Sequence, residues 1–155
     1  MDLLVKLYEL PEVVPGLQKL RKRKIEVRRA LAPEKAIVVD WVRQTFSAGW
    51  ASESDVAFSR SPITCFIAVS GKTLLGFACY DATCKNFFGP TGVAPEQRRG
   101  GIGKALLLVS LSAMAANGYA YAIIGGVGPV DYYKKIVRAI PIPASAPGIY
   151  RGMLK

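Results

Sequence analysis

The sequence predicts an α/β (α+β) domain, a mixed central sheet flanked by helices, on three observations. A β-like run through Asn86, Phe87 and Phe88 enters a turn rich in Gly and Arg and opens into a long apolar helix over 101–117. A second apolar run at 119–125 follows, then the glycine-rich turn Gly125-Gly126-Val127-Gly128-Pro129 and a helix over 130–138. Before them, two apolar runs at 63–69 and 73–80 meet around Ser70-Gly71-Lys72, a hairpin signal. With 155 residues, 51% of them hydrophobic, the chain can bury a full core in one domain.

Taken in order, residues 1–22 read as an N-terminal extension ahead of a domain spanning 23–155. Leu3, Leu4, Leu7 and Leu10 have helix-like spacing, which Pro11 and Pro15-Gly16 break. Leu17, Leu20 and the basic run suggest a second short helix. Residues 24–31 alternate apolar and charged at Ile25 and Val27, as a half-exposed strand does. Ala32-Pro33-Glu34 starts a helix whose apolar face is Ile37, Val38, Trp41, Val42 and Phe46, with Gly49 ending it. Residues 50–58 read as another short helix. Gly89-Pro90 interrupts the strand at 86–94, and a proline inside a strand implies an edge or a bulge. Gly118 caps the long helix. Residues 139–155 finish the sheet, with Pro141, Pro143 and Pro147 forcing an irregular loop.

The turn at 90–105, Pro-Thr-Gly-Val-Ala-Pro-Glu-Gln-Arg-Arg-Gly-Gly-Ile-Gly-Lys-Ala, has the construction of a phosphate cradle. A helix start leaves backbone N–H groups unpaired, and its dipole adds positive charge. Arg98 and Arg99 add two full charges. A Walker A loop needs a glycine at position 98 and a hydroxyl residue at 105, and Arg98 and Ala105 stand there. A dinucleotide fingerprint needs a third glycine at 106, and Leu106 stands there. The pattern [QR]-x-x-G-x-[GA] survives, met by Arg98, Gly101 and Gly103.

Val93-Ala94-Pro95-Glu96-Gln97-Arg98-Arg99-Gly100-Gly101-Ile102-Gly103-Lys104 resembles the acyl-CoA motif of the GNAT superfamily of N-acetyltransferases. The resemblance covers residues 24–155. It implies a single GNAT-like domain in which a splayed strand meets acetyl-CoA, the acyl donor, with no metal. Val93, Ala94, Arg98, Arg99, Gly100, Gly101, Ile102, Gly103 and Lys104 then bind the cofactor, with a backbone N–H at or near Val93 on the thioester carbonyl. Tyr133, in Tyr133-Lys134-Lys135, matches the family's tyrosine and becomes the candidate general acid toward the departing thiolate. Trp50, Glu53, Asp55 and Asp81 are candidates on the acceptor side. The family often has a Glu on the central strand as base and an Asn after the following strand. Here 86–94 holds no Glu and the second position is glycine, so the base stays unassigned among Asp81, Glu53 and water. The implied reaction is acetyl transfer to an amine in a ternary complex. The alternative is a non-catalytic module that binds CoA esters or regulates. Homodimers are common in such folds, and no residue here specifies one.

Composition narrows the chemistry. There is no histidine, which excludes Ser-His-Asp and Cys-His catalysis and His-based metal sites. Cys65, Cys79 and Cys84 form no CxxC pair, which fits a reducing cytoplasm. No signal peptide is expected after Met1-Asp2. Residues 105–130 lack charge, but Ser110, Ser112 and Asn117-Gly118 interrupt the run, so a buried helix and strand are expected rather than a membrane span. The net charge is +10, concentrated at Lys19, Arg21, Lys22, Arg23, Lys24, Arg28 and Arg29, read as a solvated basic face. Charge alone would admit a nucleic-acid partner. The negative charges of CoA account for a basic surface without one.

Overall fold

The strand-forming runs pair into one mixed sheet of seven strands in the computed structural model, which describes residues 1–155. The strands are β1 (Leu3–Lys6), β2 (Glu26–Arg29), β3 (Cys65–Ser70), β4 (Thr73–Tyr80), β5 (Phe87–Val93), β6 (Tyr121–Ile124) and β7 (Ile140–Pro141), in the spatial order β2-β3-β4-β5-β6-β1-β7. Every pairing is antiparallel except β5 with β6. The helices are α1 (Val14–Lys22), α2 (Lys35–Thr45), α3 (Ala48–Phe58), α4 (Ile102–Ala116) and α5 (Val130–Val137). A parallel pair needs a crossover, and α4 supplies it between β5 and β6.

Alternation along the strands decides which helices cover which face. Phe66 and Ala68 of β3, with Ala78 and Tyr80 of β4, join the core that includes α4. Cys65, Ile67, Phe77 and Cys79 point the other way, into the core with Val38 and Val42 of α2 and Ala51 and Ala57 of α3. Strands covered on both faces need apolar side chains on both, so these runs read as continuously apolar. Apart from Lys104 in its first turn, α4 carries no charge, and it is buried along most of its length. Its Ser110 is satisfied inside by donating to the Leu106 carbonyl at 2.7 Å. No helix is long and apolar enough to cross a membrane.

The first 22 residues differ most from expectation. Leu3–Lys6 is a strand inside the sheet, between β6 and β7, with Leu3 opposite Ile124 and Val5 opposite Ala122. Leu3 and Val5 are both 0% exposed. The spacing of Leu3, Leu7 and Leu10 imitates a helix because a strand of period two runs straight into a 3-10 turn at Leu7–Glu9. The helix expected after it is present as α1. Without β1 the outer edge of β6 would be an open row of backbone groups.

Three smaller differences share a cause in local capping or tertiary contact. The helix expected to end at Gly49 ends at Thr45, because the Ser47 hydroxyl accepts the Trp50 N–H at 3.1 Å and starts α3 there. On α2 Val39 is buried and Ile37 is 68% exposed, so the apolar face is rotated from the expected one. The tail adds only Ile140–Pro141 to the sheet; the rest runs irregularly to a 3-10 turn at Gly148–Tyr150.

The basic run is only partly a solvated face. Arg28 makes a two-pronged ion pair with Glu34, both contacts at 2.8 Å. Arg29 donates to the Ile63 carbonyl at 2.7 Å and the Tyr80 hydroxyl at 2.8 Å, with its guanidinium 4.7 Å from the centre of the Phe66 ring. Arg23 donates to the Gly100 carbonyl at 2.7 Å.

Two predictions follow from these contacts. Leu3→Ala should cost about 2–5 kcal/mol in urea unfolding, as for a core leucine; a cost under about 0.5 kcal/mol, typical of a surface site, would return β1 to the status of an appendage. Arg28 hydrogen-bonded to Glu34 holds that carboxyl down at about 2, against an ordinary 4.5. The contribution of the pair is therefore complete above about pH 4.5 and is lost as pH falls toward 2. Between these limits Glu34→Gln should lose less stability on acidification than the wild type; parallel unfolding curves at each pH would refute the pair's role.

Candidate functional site

Strands β5 and β6 start together and then separate. Phe87 pairs with Ile123 and Phe88 with Ile124, and there β6 ends, while β5 runs on to Val93. The chain leaves β6 through Gly125, where a Cβ would lie 2.7 Å from the Phe87 ring. On its other side β5 stays paired with β4, apart from a register shift between Ala78 and Tyr80. Gly76 pairs with Val93 and Ala78 with Thr91, and the Ala94 N–H donates to the Leu75 carbonyl at 2.8 Å. In an antiparallel ladder that register turns the N–H and C=O groups of Thr91 and Val93 away from β4, toward the gap. The gap opens into a cleft of about 1250 Å³.

One end of the cleft is built from the start of α4. Gly101 enters the helix at φ +88°, a conformation that favours glycine, and no side chain caps the helix. The first-turn N–H groups are left for a ligand, at the positive end of the helix dipole. Arg98, Arg99 and Lys104 line the cleft here. The Arg98 Nε donates to the Val93 carbonyl at 3.4 Å, joining the turn to the open edge of β5. Arg23 holds the turn from behind through the Gly100 carbonyl. A Cβ on Gly103 would lie 3.5 Å from the Tyr132 hydroxyl and 3.6 Å from Val93 Cγ2, so a larger side chain would fill the space in front of the helix. Backbone donors, two guanidinium groups and an ammonium group fit a pyrophosphate.

The other end is aromatic and weakly acidic. Phe46 lies so close to β5 that a Cβ on Gly92 would collide with its ring. The ring centres of Phe46 and Trp50 are 5.1 Å apart. Glu53 is one helical turn beyond Trp50, and its Oε1 accepts the Thr83 hydroxyl. Tyr150 and Met153 close the wall from the C-terminal tail. Asp2 steadies that tail: its Oδ1 accepts the Gly126 N–H at 3.0 Å, and its own N–H donates to Ser145 Oγ at 2.8 Å. Burial pushes the Tyr150 phenol up, and nearby Glu53 adds to the shift.

Two tyrosines of α5 lie along the wall. Tyr133 is 7% exposed, and burial, with Tyr132 adding, pushes its phenol up to about 12. Tyr132 is more open; its hydroxyl stands by Gly103, and burial raises it too. The rings meet edge to face at 5.1 Å. No group of three or more His, Cys, Asp or Glu residues is placed to hold a metal ion.

The cleft thus brings together Val93, Arg98, Arg99, Gly101, Gly103, Lys104, Tyr133, Trp50 and Glu53. Ala94, Gly100 and Ile102 are in the same turn but do not line it; Ile102 is 1% exposed in the core. Asp81 lies outside. Its carboxylate accepts the Asn86 N–H at 2.7 Å and the Tyr119 hydroxyl at 3.2 Å, and so serves the β4–β5 turn. Asp55 also lies outside, paired with Lys35 at 2.8 Å. Sequence reasoning missed Thr83, Tyr132, Tyr150 and Met153 as lining residues. A glycine facing each tyrosine is the nearest thing to a signal, and it carries no information about which aromatic will arrive.

No family model matches the chain, and no curated protein matches it significantly. Solved structures do. A GCN5-related glucosamine N-acetyltransferase region of a fungal multi-domain GH3 β-N-acetylglucosaminidase matches with TM-score 0.71 and 15% identity, over 88% of this chain and 19% of that one. A GCN5-related N-acetyltransferase from Sphaerobacter thermophilus matches with TM-score 0.64 and 16% identity, over 90% and 47%. A Drosophila protein matches with TM-score 0.62 and 14% identity, over 91% and 46%. The chain spans from about a fifth to just under half of the length of these proteins. The chain has the fold of the GCN5-related N-acetyltransferases.

Proposed function

We propose that the protein transfers an acetyl group from acetyl-CoA to an amine, both bound at once in the cleft. The observation that carries this is the parting of β5 from β6 directly in front of an uncapped helix start flanked by Arg98, Arg99 and Lys104. The helix start and the three cations take the pyrophosphate. The outward backbone groups of Thr91 take the pantetheine, and the Val93 N–H polarises the thioester carbonyl. The amine approaches from the Trp50 and Glu53 side, so that nucleophile and carbonyl are held in line.

The role of Tyr133 follows from its burial. A phenol at about 12 keeps its proton throughout the neutral range. An ordinary thiol ionises at about 8.5, so outright proton transfer from this phenol to a thiolate is uphill by about 3.5 in pKa. Tyr133 is thus better suited to donate a hydrogen bond to the departing sulfur than to act as a full general acid. The thiolate's proton then comes from the attacking nitrogen or from water.

Two substitutions test the reading. Gly103→Leu should cut acetyl-CoA affinity by about tenfold or more in titration calorimetry, a loss of about 1.4 kcal/mol, with the melting temperature unchanged. Normal affinity in that folded variant would remove the cradle. Tyr133→Phe preserves the packing and, by removing one hydrogen-bond donor to developing charge, should lower kcat by roughly 10²-fold while acetyl-CoA still binds. Unchanged turnover would make Tyr133 structural; binding without turnover in the wild type, against a broad set of amines, would favour the non-catalytic module.

A further inference from the structure

The charges lining the cleft are divided between its ends. Four lining residues carry a full charge: Arg98, Arg99 and Lys104 at the α4 end, and Glu53 at the other. Glu53 is the only acid among them, and no cation of the protein pairs with it. The Thr83 hydroxyl occupies Oε1 and fixes the carboxylate, leaving Oε2 for another donor. The half-buried carboxylate thus has a hydroxyl partner and no cation beside it, which leaves its charge open to a cationic ligand.

Apolar surface surrounds this group. Trp50, one turn earlier on α3, is 36% exposed, and Phe46 stands 5.1 Å from it. Phe46 is also packed onto the open edge of β5 at Gly92, so the aromatic wall runs from Glu53 toward the gap where the thioester carbonyl is placed. Met153 and Tyr150 complete the enclosure from the tail.

Resting on the acyl-transfer reading above, we infer that this end is a binding site for a primary monoamine with an apolar body, held as its ammonium ion by Glu53 and by the faces of Phe46 and Trp50. Cation–π attraction to the two rings supplements the ion pair. An amino acid is disfavoured, because its own carboxylate would lie beside Glu53 with the nearest cleft cations at the far end. A polyamine finds one counter-ion for several charges. In turnover the bound ammonium gives one proton, through Glu53 or water, to solvent. The free amine forms the new C–N bond, the C–S bond breaks, and the thiolate is protonated. One ammonium ion and one thioester yield one amide, one thiol and one released proton.

The test is amine binding rather than turnover. Trp41 and Trp50 are the only tryptophans, and Trp50 lines the cleft, so its fluorescence reports occupancy. Phenethylamine, phenylalanine and spermidine are titrated into the full chain with and without saturating CoA. We expect phenethylamine to bind at least roughly tenfold more tightly than the other two, and Glu53→Gln to remove about that factor for phenethylamine while leaving acetyl-CoA affinity unchanged. Equal or tighter binding of phenylalanine or spermidine overturns the inference. So does unchanged phenethylamine affinity in Glu53→Gln, or no amine binding at all. The wild-type series decides the matter even if the variant does not fold. Failure of acetyl-CoA to bind, with the amine preference intact, instead overturns the acyl-transfer reading and leaves the ammonium site standing.

Discussion

The parting of β5 from β6 after two paired residues is the constraint on which the site depends. A sheet normally consumes its backbone groups in ladders. Here β5 continues without β6 for five residues beyond Phe88, and its groups facing away from β4 become the floor of a cleft. The gap can stay open because both sides are held independently. β5 is braced by β4, and β6 is braced by β1 through four antiparallel pairs. Glycine at 125 is part of the same design, since a side chain there would collide with Phe87 just where the strands must diverge.

That division of labour explains why the chain's two termini matter to a site made mostly by its middle. Asp2 binds the Gly125–Gly128 turn and the tail segment together, and the tail returns Tyr150 and Met153 to the cleft. Arg23, at the end of α1, supports the glycine-rich turn before α4 from outside. The site has a built-in polarity as a result: cationic where a helix starts, aromatic with one carboxylate where α3 meets the tail. Under the proposed reaction, a donor with several negative charges and an acceptor with one positive charge would be directed to opposite ends by the same field.

Local chemistry was readable residue by residue. The glycines and arginines of 98–103 mark a candidate anion cradle, because a helix start exposes N–H groups in any fold. The hairpin at Ser70-Gly71-Lys72 and the proline in β5 were equally legible, since turn and strand geometry depend on the residues themselves. The β1 strand was not. Leu3, Leu4 and Val5 suit a strand or a helix about equally, and only the exposed edge of β6, more than a hundred residues away, selects the strand. Asp81 and Glu53 were indistinguishable as acids on either side of the hairpin; the fold engages one with Asn86 and Tyr119 and leaves the other facing the cleft.

The sequence by itself determined the α/β class, the glycine- and arginine-rich turn ahead of α4, the burial of that helix and the exclusion of histidine chemistry, because each follows from side-chain type and short-range spacing. Only the tertiary structure decided that residues 3–6 complete the sheet, that Tyr133 is buried enough to hold its proton up to about 12, and that Thr83, Glu53 and Tyr150 share one wall. These depend on which distant surfaces meet, and the energy that selects the meeting is apolar burial summed over the whole domain, which no local pattern encodes.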